Sequence, residues 1–181
     1  MAPRLTACMI VRDEIDCLEA CLDSLAPWVD EIAIVDTGSK DGTWELVQVR
    51  AHRFAQIEWP DHFADARNAS LALATGDWIL VVDADERICS GGDELRRAIQ
   101  DAALLAAEIT IVNELGDGNE GEFSAVRLFR RHERLAYSGR IHEQVADSIQ
   151  ALMCDEPAWR TAKIALTLRH DGYVPERFEA K

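Results

Sequence analysis

Three carboxylates, Asp83, Asp85 and Glu86, follow the hydrophobic run Trp78-Ile79-Leu80-Val81-Val82 with only Ala84 among them. Like charges that close together are costly unless water solvates them or a cation bridges them. Residues two apart on an extended chain point to one side, so Asp83 and Asp85 can converge at the carboxyl end of a strand, where open α/β sheets bind ligands. An all-oxygen ligand set there suits Mg²⁺ or Mn²⁺ better than zinc. The alternative is a solvated acidic turn. Asp36 closes a second apolar run, Glu31 to Val35, and leads into Thr37-Gly38-Ser39. A short carboxylate at that place accepts hydrogen bonds from a uracil or a ribose, or else shapes the loop as an Asx turn, as Ser39 and Asp41 also could.

Arg67 lies in Asp65-Ala66-Arg67-Asn68, near the start of a predicted helix. A surface ion pair is one reading; its position ahead of the acidic strand makes it a candidate site residue. Gly139-Arg140-Ile141-His142-Glu143-Gln144 gathers a flexible glycine, a cation, an imidazole and a carboxylate. Neighbours on a strand face opposite ways, so only one of His142 and Glu143 could serve a site. His170 ends the run Leu166-Thr167-Leu168-Arg169 and is placed for metal binding, the other reading being a packed or surface histidine. His52, His62 and His132 have no such context.

The chain that must position these groups has 181 residues and a formal charge of −14, with 48% hydrophobic residues. That is enough apolar material for one core, so the expectation is a single domain over 1–181. The acidic excess repels phosphate backbones, which argues against nucleic-acid binding, and an anionic ligand calls for a cation. No apolar run reaches the roughly 18 residues that span a bilayer, and the first 30 residues contain Asp and Glu, so the reading has no transmembrane segment and no signal peptide. Five cysteines, an odd number, do not make a disulfide framework; Cys17 and Cys21 share a helical face and read as buried thiols, and the compartment as cytoplasmic.

Leu5–Val11 reads as a buried strand, followed by a helix capped by Asp13 with Ile15, Leu18, Leu22 and Leu25 at helical spacing. Glu31–Val35, a helix over Trp44–Val49, a short strand at Ile57–Trp59, a helix over 65–74 closed by Gly76 in a left-handed cap, and a strand at Trp78–Val82 complete the alternation. Such alternation predicts an α/β fold, a mostly parallel sheet with helices on both faces. Beyond it, 95–107 reads as helix, Ile109–Val112 as strand, and 124–137 and 163–168 as antiparallel or edge strands. The stretch Gly116–Gly121 reads as a hairpin tip.

Four ordered segments, 5–14, 30–43, 64–68 and 74–86, together resemble the nucleotide-sugar-dependent family 2 glycosyltransferases. The resemblance implies a GT-A fold, a Rossmann-like sheet with a mixed C-terminal part, in which about 1–90 binds the nucleotide and about 91–181 the acceptor. It places Val11, Glu14, Asp36 and Arg67 in the nucleoside pocket and makes Asp83 and Asp85 the Asp-x-Asp pair that holds the diphosphate through Mg²⁺ or Mn²⁺. His170 resembles the family's C-terminal histidine ligand. Glu143 falls where the family has its catalytic base, although the usual Glu-Asp pair here reads His142-Glu143. The Gln-x-x-Arg-Trp signature of processive synthases is missing, so the resemblance implies a single inverting transfer from a UDP-sugar to a glycan, lipid or peptide acceptor. The alternatives are a catalytically silent nucleotide-sugar-binding or scaffold module and a haloacid dehalogenase-type phosphatase, whose signature continues with Thr or Val where this chain has Glu86-Arg87.

Overall fold

The structure, a computed structural model, describes residues 2–114 and 120–170. In chain order the elements are β1 (Leu5–Val11), α1 (Ile15–Leu25), β2 (Glu31–Asp36), α2 (Thr43–Arg50), β3 (Arg53–Gln56), α3 (Phe63–Leu73), β4 (Trp78–Val81), β5 (Glu86–Ser90), α4 (Gly92–Ala98), β6 (Leu104–Glu114), β7 (Glu120–Arg130), α5 (Ala146–Asp155) and β8 (Arg160–His170). The strands form one eight-stranded sheet in the order β3-β2-β1-β4-β7-β6-β8-β5. Its first four strands run parallel, as the βα alternation requires. β7 then pairs antiparallel with both β4 and β6, while β8 runs parallel to β6 and antiparallel to β5.

Alternation along β1 divides the core. Leu5, Ala7, Met9 and Val11 pack with Leu18, Leu22 and Leu25 of α1, whereas Cys8 faces the other side with Ile79, Val81 and Ala64. Cys17 and Cys21 are buried on the core face of α1, as their spacing predicts. β2 lies on one side of β1 and β4 on the other, so the chain reverses its direction of winding there. That arrangement opens a crevice beyond the carboxyl ends of the strands.

Several expectations need correction. Residues 95–107 are not one helix: α4 ends at Ala98, and Leu104-Leu105-Ala106-Ala107 begin β6, all buried. A strand covered on both faces loses its alternation, and residues of high helix propensity then imitate a helix. β3 precedes 57–59, β7 ends at Arg130, and neither β5 nor α5 is foreseen from the spacing. Residues 116–119 of the expected hairpin tip lie outside the described residues. Asp13 does not cap α1; the N-cap is Glu14, without a side-chain cap bond. Gly76 is not a left-handed cap, because α3 ends at Ala74 in extended geometry. Its role is close approach: a Cβ there would lie 2.6 Å from Thr6 Oγ1 and 2.9 Å from the Arg4 carbonyl oxygen.

Glu31 links the starts of these strands. Its buried carboxylate accepts hydrogen bonds from the Thr6 hydroxyl (2.7 Å), the Thr75 amide (2.8 Å) and the Thr75 hydroxyl (2.7 Å), and pairs with Arg53 (3.3 Å). Burial alone raises this carboxyl; the bonds from Thr75, Thr6 and Arg53 reverse that and bring it from 4.5 to about 2. The folded state therefore keeps Glu31 ionised at a pH where the unfolded chain protonates it. The resulting stabilisation is complete above pH 4.5 and is lost as pH falls from there toward about 2. Urea midpoints measured across that window should fall more steeply for wild type than for Glu31→Gln; parallel curves would show that Glu31 does not carry the acid sensitivity.

Candidate functional site

The loop after β2 is built by its own polar groups. Asp36 Oδ1 accepts the amides of Gly38 (2.8 Å) and Ser39 (3.0 Å) and the side-chain amide of Gln56 (3.0 Å). Gly38 and Gly42 have φ of 106° and 100°, a region that side chains disfavour. The loop in turn caps α1: Thr43 Oγ1 accepts the Glu14 amide (2.8 Å), Asp41 the Ile15 amide (3.1 Å) and Ser39 the Asp13 amide (2.9 Å). The Asx-turn reading thus holds for one oxygen of Asp36. Its other oxygen, Oδ2, is buried with no hydrogen-bond partner among the described residues. Burial raises the Asp36 carboxyl, but the bonds from Ser39, Gln56 and Gly38 outweigh it and hold it below the usual range. Asp36 is therefore an ionised acceptor, and Val11 lies beside it in the β1–β2 register.

At the end of β4 the acidic cluster is neutralised by arginines. Asp83 Oδ1 pairs with Arg67 Nη2 of α3 (2.5 Å), and Asp83 Oδ2 with Arg127 Nη2 of β7 (3.1 Å). The same Arg127 nitrogen reaches Glu86 Oε1 (3.0 Å), and Glu86 Oε2 accepts the Asp83 amide (2.8 Å). Arg67 Nε continues the chain to Glu143 Oε1 (3.2 Å). Burial raises the Asp83 carboxyl, but Arg67 and Arg127 overcome it and hold Asp83 well below the carboxylate range. Glu86, only 2% exposed, goes the other way: burial pushes it up to about 7, with Asp83 adding repulsion and Arg127 opposing. The expected neutralising charge on Asp83 and Glu86 is thus two buried guanidinium groups.

Asp85 turns elsewhere. Its Oδ2 lies 3.1 Å from His170 Nε2, while His170 Nδ1 lies 3.1 Å from Asn113 Oδ1. The hydrogen bond to Asp85 raises the His170 pKa against the effect of burial. Register places His170 opposite Glu86 on β5 and Asn113 on β6, so three strand ends fix this imidazole. Among the described residues no three His, Cys, Asp or Glu side chains converge in a metal-holding group.

The structure therefore joins Arg67, Asp83 and Glu143 directly, sets Asp85 against His170, and brings Val11 and Asp36 together at the neighbouring strand ends. Glu14 stands at the head of α1. Arg67 bonds to Asp83 and Glu143, not to the β1–β2 loop residues with which the resemblance groups it. His142 and Glu143 do not lie on a strand; His142 is exposed in a left-handed turn with φ 59°, between the bridged residues Ser138 and Gln144. His52, His62 and His132 accept hydrogen bonds from the backbone amides of Ile32, Asp65 and Arg134. Sequence reasoning gives Arg127 no role, because one arginine on an alternating strand looks like any exposed cation; only its approach to β4 reveals the pairing.

A sheet of this order, with strand-end carboxylates at the switch point and a mixed second half, defines the GT-A class of glycosyltransferase folds. Residues 6–91 match the family model for glycosyl transferase family 2, and the chain carries a domain of that family. Over 181 residues it is 39% identical to a TPR repeat-containing protein of Synechococcus elongatus, covering 98% of this chain and 44% of that protein. Over 168 residues it is 32% identical to the lipopolysaccharide core biosynthesis glycosyltransferase LpsC of Rhizobium meliloti, covering 80% and 58%. Among solved structures it is similar to glucosyl-3-phosphoglycerate synthase from Mycobacterium tuberculosis in complex with Mn²⁺, UDP and phosphoglyceric acid, with TM-score 0.67 and 14% identity over 98% of this chain and 74% of that one. The chain spans about half the length of the curated relatives it matches.

Removing Arg127 would leave Asp83 and Glu86 short of a buried counter-ion. Arg127→Met should cost about 3–5 kcal/mol of unfolding free energy, read from urea denaturation. Adding Glu86→Gln should recover part of the loss by removing the unpaired charge; no recovery would show that packing, and not charge, is what Arg127 supplies.

Proposed function

We propose that this chain transfers a glycosyl group from a nucleotide-sugar, a UDP-sugar by preference, to a hydroxyl of a glycan, lipid or peptide acceptor. The observation that carries this reading is the continuous link Glu143–Arg67–Asp83. It fastens a carboxylate of the second half to the strand end of the first, 76 positions apart in sequence for Arg67 and Glu143. A base for the acceptor and an anchor for the donor then sit on one rigid frame. The Mn²⁺ and UDP complex of the M. tuberculosis synthase supports the choice of donor and cation class.

In this reading the unpartnered Asp36 Oδ2 accepts an N–H of the base, with Val11 and Glu14 beside the nucleoside. Asp85 and His170 suit a divalent cation, Mg²⁺ or Mn²⁺: a carboxylate and an imidazole from two strand ends meet, and Asn113 holds the far ring nitrogen as an outer partner orients a metal-bound histidine. Bound there, the ion supplies positive charge to the departing diphosphate. Asp83 is held by its arginines at the edge of this site and orients the diphosphate end of the donor.

Glu143 accepts the proton of the acceptor hydroxyl. The freed oxygen bonds to the anomeric carbon as the bond from that carbon to the diphosphate oxygen breaks on the opposite face, giving inversion. Arg67 fixes the position of Glu143 through the 3.2 Å contact. A nucleophilic aspartate of the phosphatase kind needs a free oxygen, whereas both oxygens of Asp83 are paired with arginines.

Calorimetric titration of UDP, GDP and dTDP, each with Mn²⁺ and with EDTA, tests the donor site. UDP should bind with Mn²⁺, and binding should vanish in EDTA and in Asp85→Asn. If no nucleotide binds wild type under either condition, the scaffold reading replaces this one. Glu143→Gln should retain UDP binding and lose transfer by about 10²–10⁴-fold, the usual effect of a general base.

A further inference from the structure

Glu143 is carried by a tight turn whose stem is closed by reciprocal hydrogen bonds between the amides and carbonyls of Ser138 and Gln144, both 3.0 Å. Within the turn the backbone is left-handed at Gly139 (φ 102°) and again at His142 (φ 59°), the residue beside Glu143. A side chain at positive φ persists only where its surroundings over-determine it. Ile141, 67% exposed, adds little packing; the fastening comes from Arg140. Its Nε donates to the Asp61 carbonyl (3.0 Å), its Nη2 pairs with the Asp61 carboxylate, and its own carbonyl accepts the Phe63 amide (3.2 Å). Resting on the reading of Glu143 as base, we infer that Arg140 and Asp61 are positioning residues for Glu143, a clasp that fixes the turn on the head of α3 and so sets the carboxylate against Arg67.

The corner that receives Arg140 has a fixed shape. Asp61 itself has φ 54°, a conformation that Asp tolerates better than most residues, and Trp59 and Phe63 on either side of it pack edge to face at 4.8 Å. Phe63 opens α3, and Arg67 stands one turn further along the same helix. The clasp and the Arg67–Glu143 pair therefore tie the turn to one rigid element at two points. A single tie lets the turn pivot, whereas two set its angle. Arg140 and Asp61 are 64% and 75% exposed, and an exposed ion pair alone contributes little to stability. Position is a stricter matter: a misplacement of about 1 Å can cost about 10²-fold in rate. A clasp too weak to hold the fold together is thus strong enough to govern where Glu143 lies.

The Arg67 Nε–H, which donates to Glu143, reports the position of that carboxylate without any turnover. Its exchange with solvent is measured by ¹⁵N NMR on the full chain for wild type, Asp61→Gly, Asp61→Asn and Arg140→Glu. Glycine accepts the backbone angle and removes the carboxylate, asparagine keeps an oxygen that accepts from Arg140, and glutamate sets like charges against each other. Exchange should quicken about fivefold in Asp61→Gly and Arg140→Glu, the upper end of what an exposed pair contributes, and stay within about twofold of wild type in Asp61→Asn. UDP release from UDP-glucose and UDP-N-acetylglucosamine with Mn²⁺, water serving as acceptor, should fall about tenfold in kcat in the same two variants, with KM and UDP affinity unchanged. Exchange equal to wild type in Asp61→Gly and Arg140→Glu would overturn the clasp. Quickened exchange with undiminished kcat would overturn its role in positioning the base. No UDP release by wild type from either donor would remove the base reading of Glu143 itself and leave the clasp to stand or fall on the exchange rates.

Discussion

The buried pairing of Arg67 and Arg127 with Asp83, Glu86 and Glu143 is the constraint around which the site is arranged. A guanidinium taken from water costs several kcal/mol, which attraction offsets only where carboxylates meet it at hydrogen-bond distance. Arg67, 7% exposed, cannot sit at the core face of α3 unless the β4 end and the 138–144 loop both arrive with a carboxylate. Arg127 makes the same demand of β4 and β5. Four separated segments are therefore held in one geometry by mutual necessity. Such a lattice specifies position more strongly than it adds net stability.

The two halves of the sheet meet through that geometry. β7 runs antiparallel to β4, with Trp78 opposite Arg130 and Leu80 opposite Leu128, which brings Arg127 level with Val81, the last residue of β4. Arg130 stacks on Trp78 and Trp159 at 4.7 and 4.9 Å and donates to the carbonyls of Leu104 and Asp101, anchoring the opposite end of the same strand pair. Asn68, one residue after Arg67, exchanges hydrogen bonds with the backbone of Tyr137 at 3.0 and 2.8 Å. These neutral contacts fix the distance between α3 and the loop that presents Glu143, so the weaker 3.2 Å ion pair need not do so alone.

The first half of the chain was largely legible because its signals are local. Strands β1, β2 and β4 are short apolar runs closed by polar residues, and α1 shows helical spacing of its buried face. The register of those strands then brings their ends together without further information. In the second half the signals are non-local. Leu104 to Ala107 resembles helix because burial on both faces removes alternation, and α5 buries only Ile149 and Leu152, too few to reveal its period. Asp83 and Asp85 are two apart, a spacing that predicts convergence on one ligand. The chain turns between them instead, with the Glu86 amide donating to the Asp83 carbonyl at 3.0 Å, and sends one carboxylate to the arginines and the other to His170. The pairing of Arg127 with Asp83 and Glu86 depends on tertiary contacts that spacing does not encode.

On the proposed function, an acidic chain that binds an anionic donor faces an electrostatic problem that the arrangement answers locally. With a formal charge of −14 the protein repels a diphosphate at long range, although salt near physiological strength screens this beyond about 8 Å. Close to the site the two arginines do not supply attraction, since their charge is matched by Asp83, Glu86 and Glu143. In the proposed reading what remains is short-range recognition: the open oxygen of Asp36 for the base, and Asp85 with His170 as the place for a cation. The division explains why Asp83 is paired so completely. Once its charge is cancelled by Arg67 and Arg127, Asp83 no longer repels a phosphate oxygen brought beside it, whereas Asp85 faces an imidazole and no arginine and keeps more of its negative charge for a cation in the proposed reading. In that reading the arginines act on the donor through the aspartate they neutralise, and not by direct attraction.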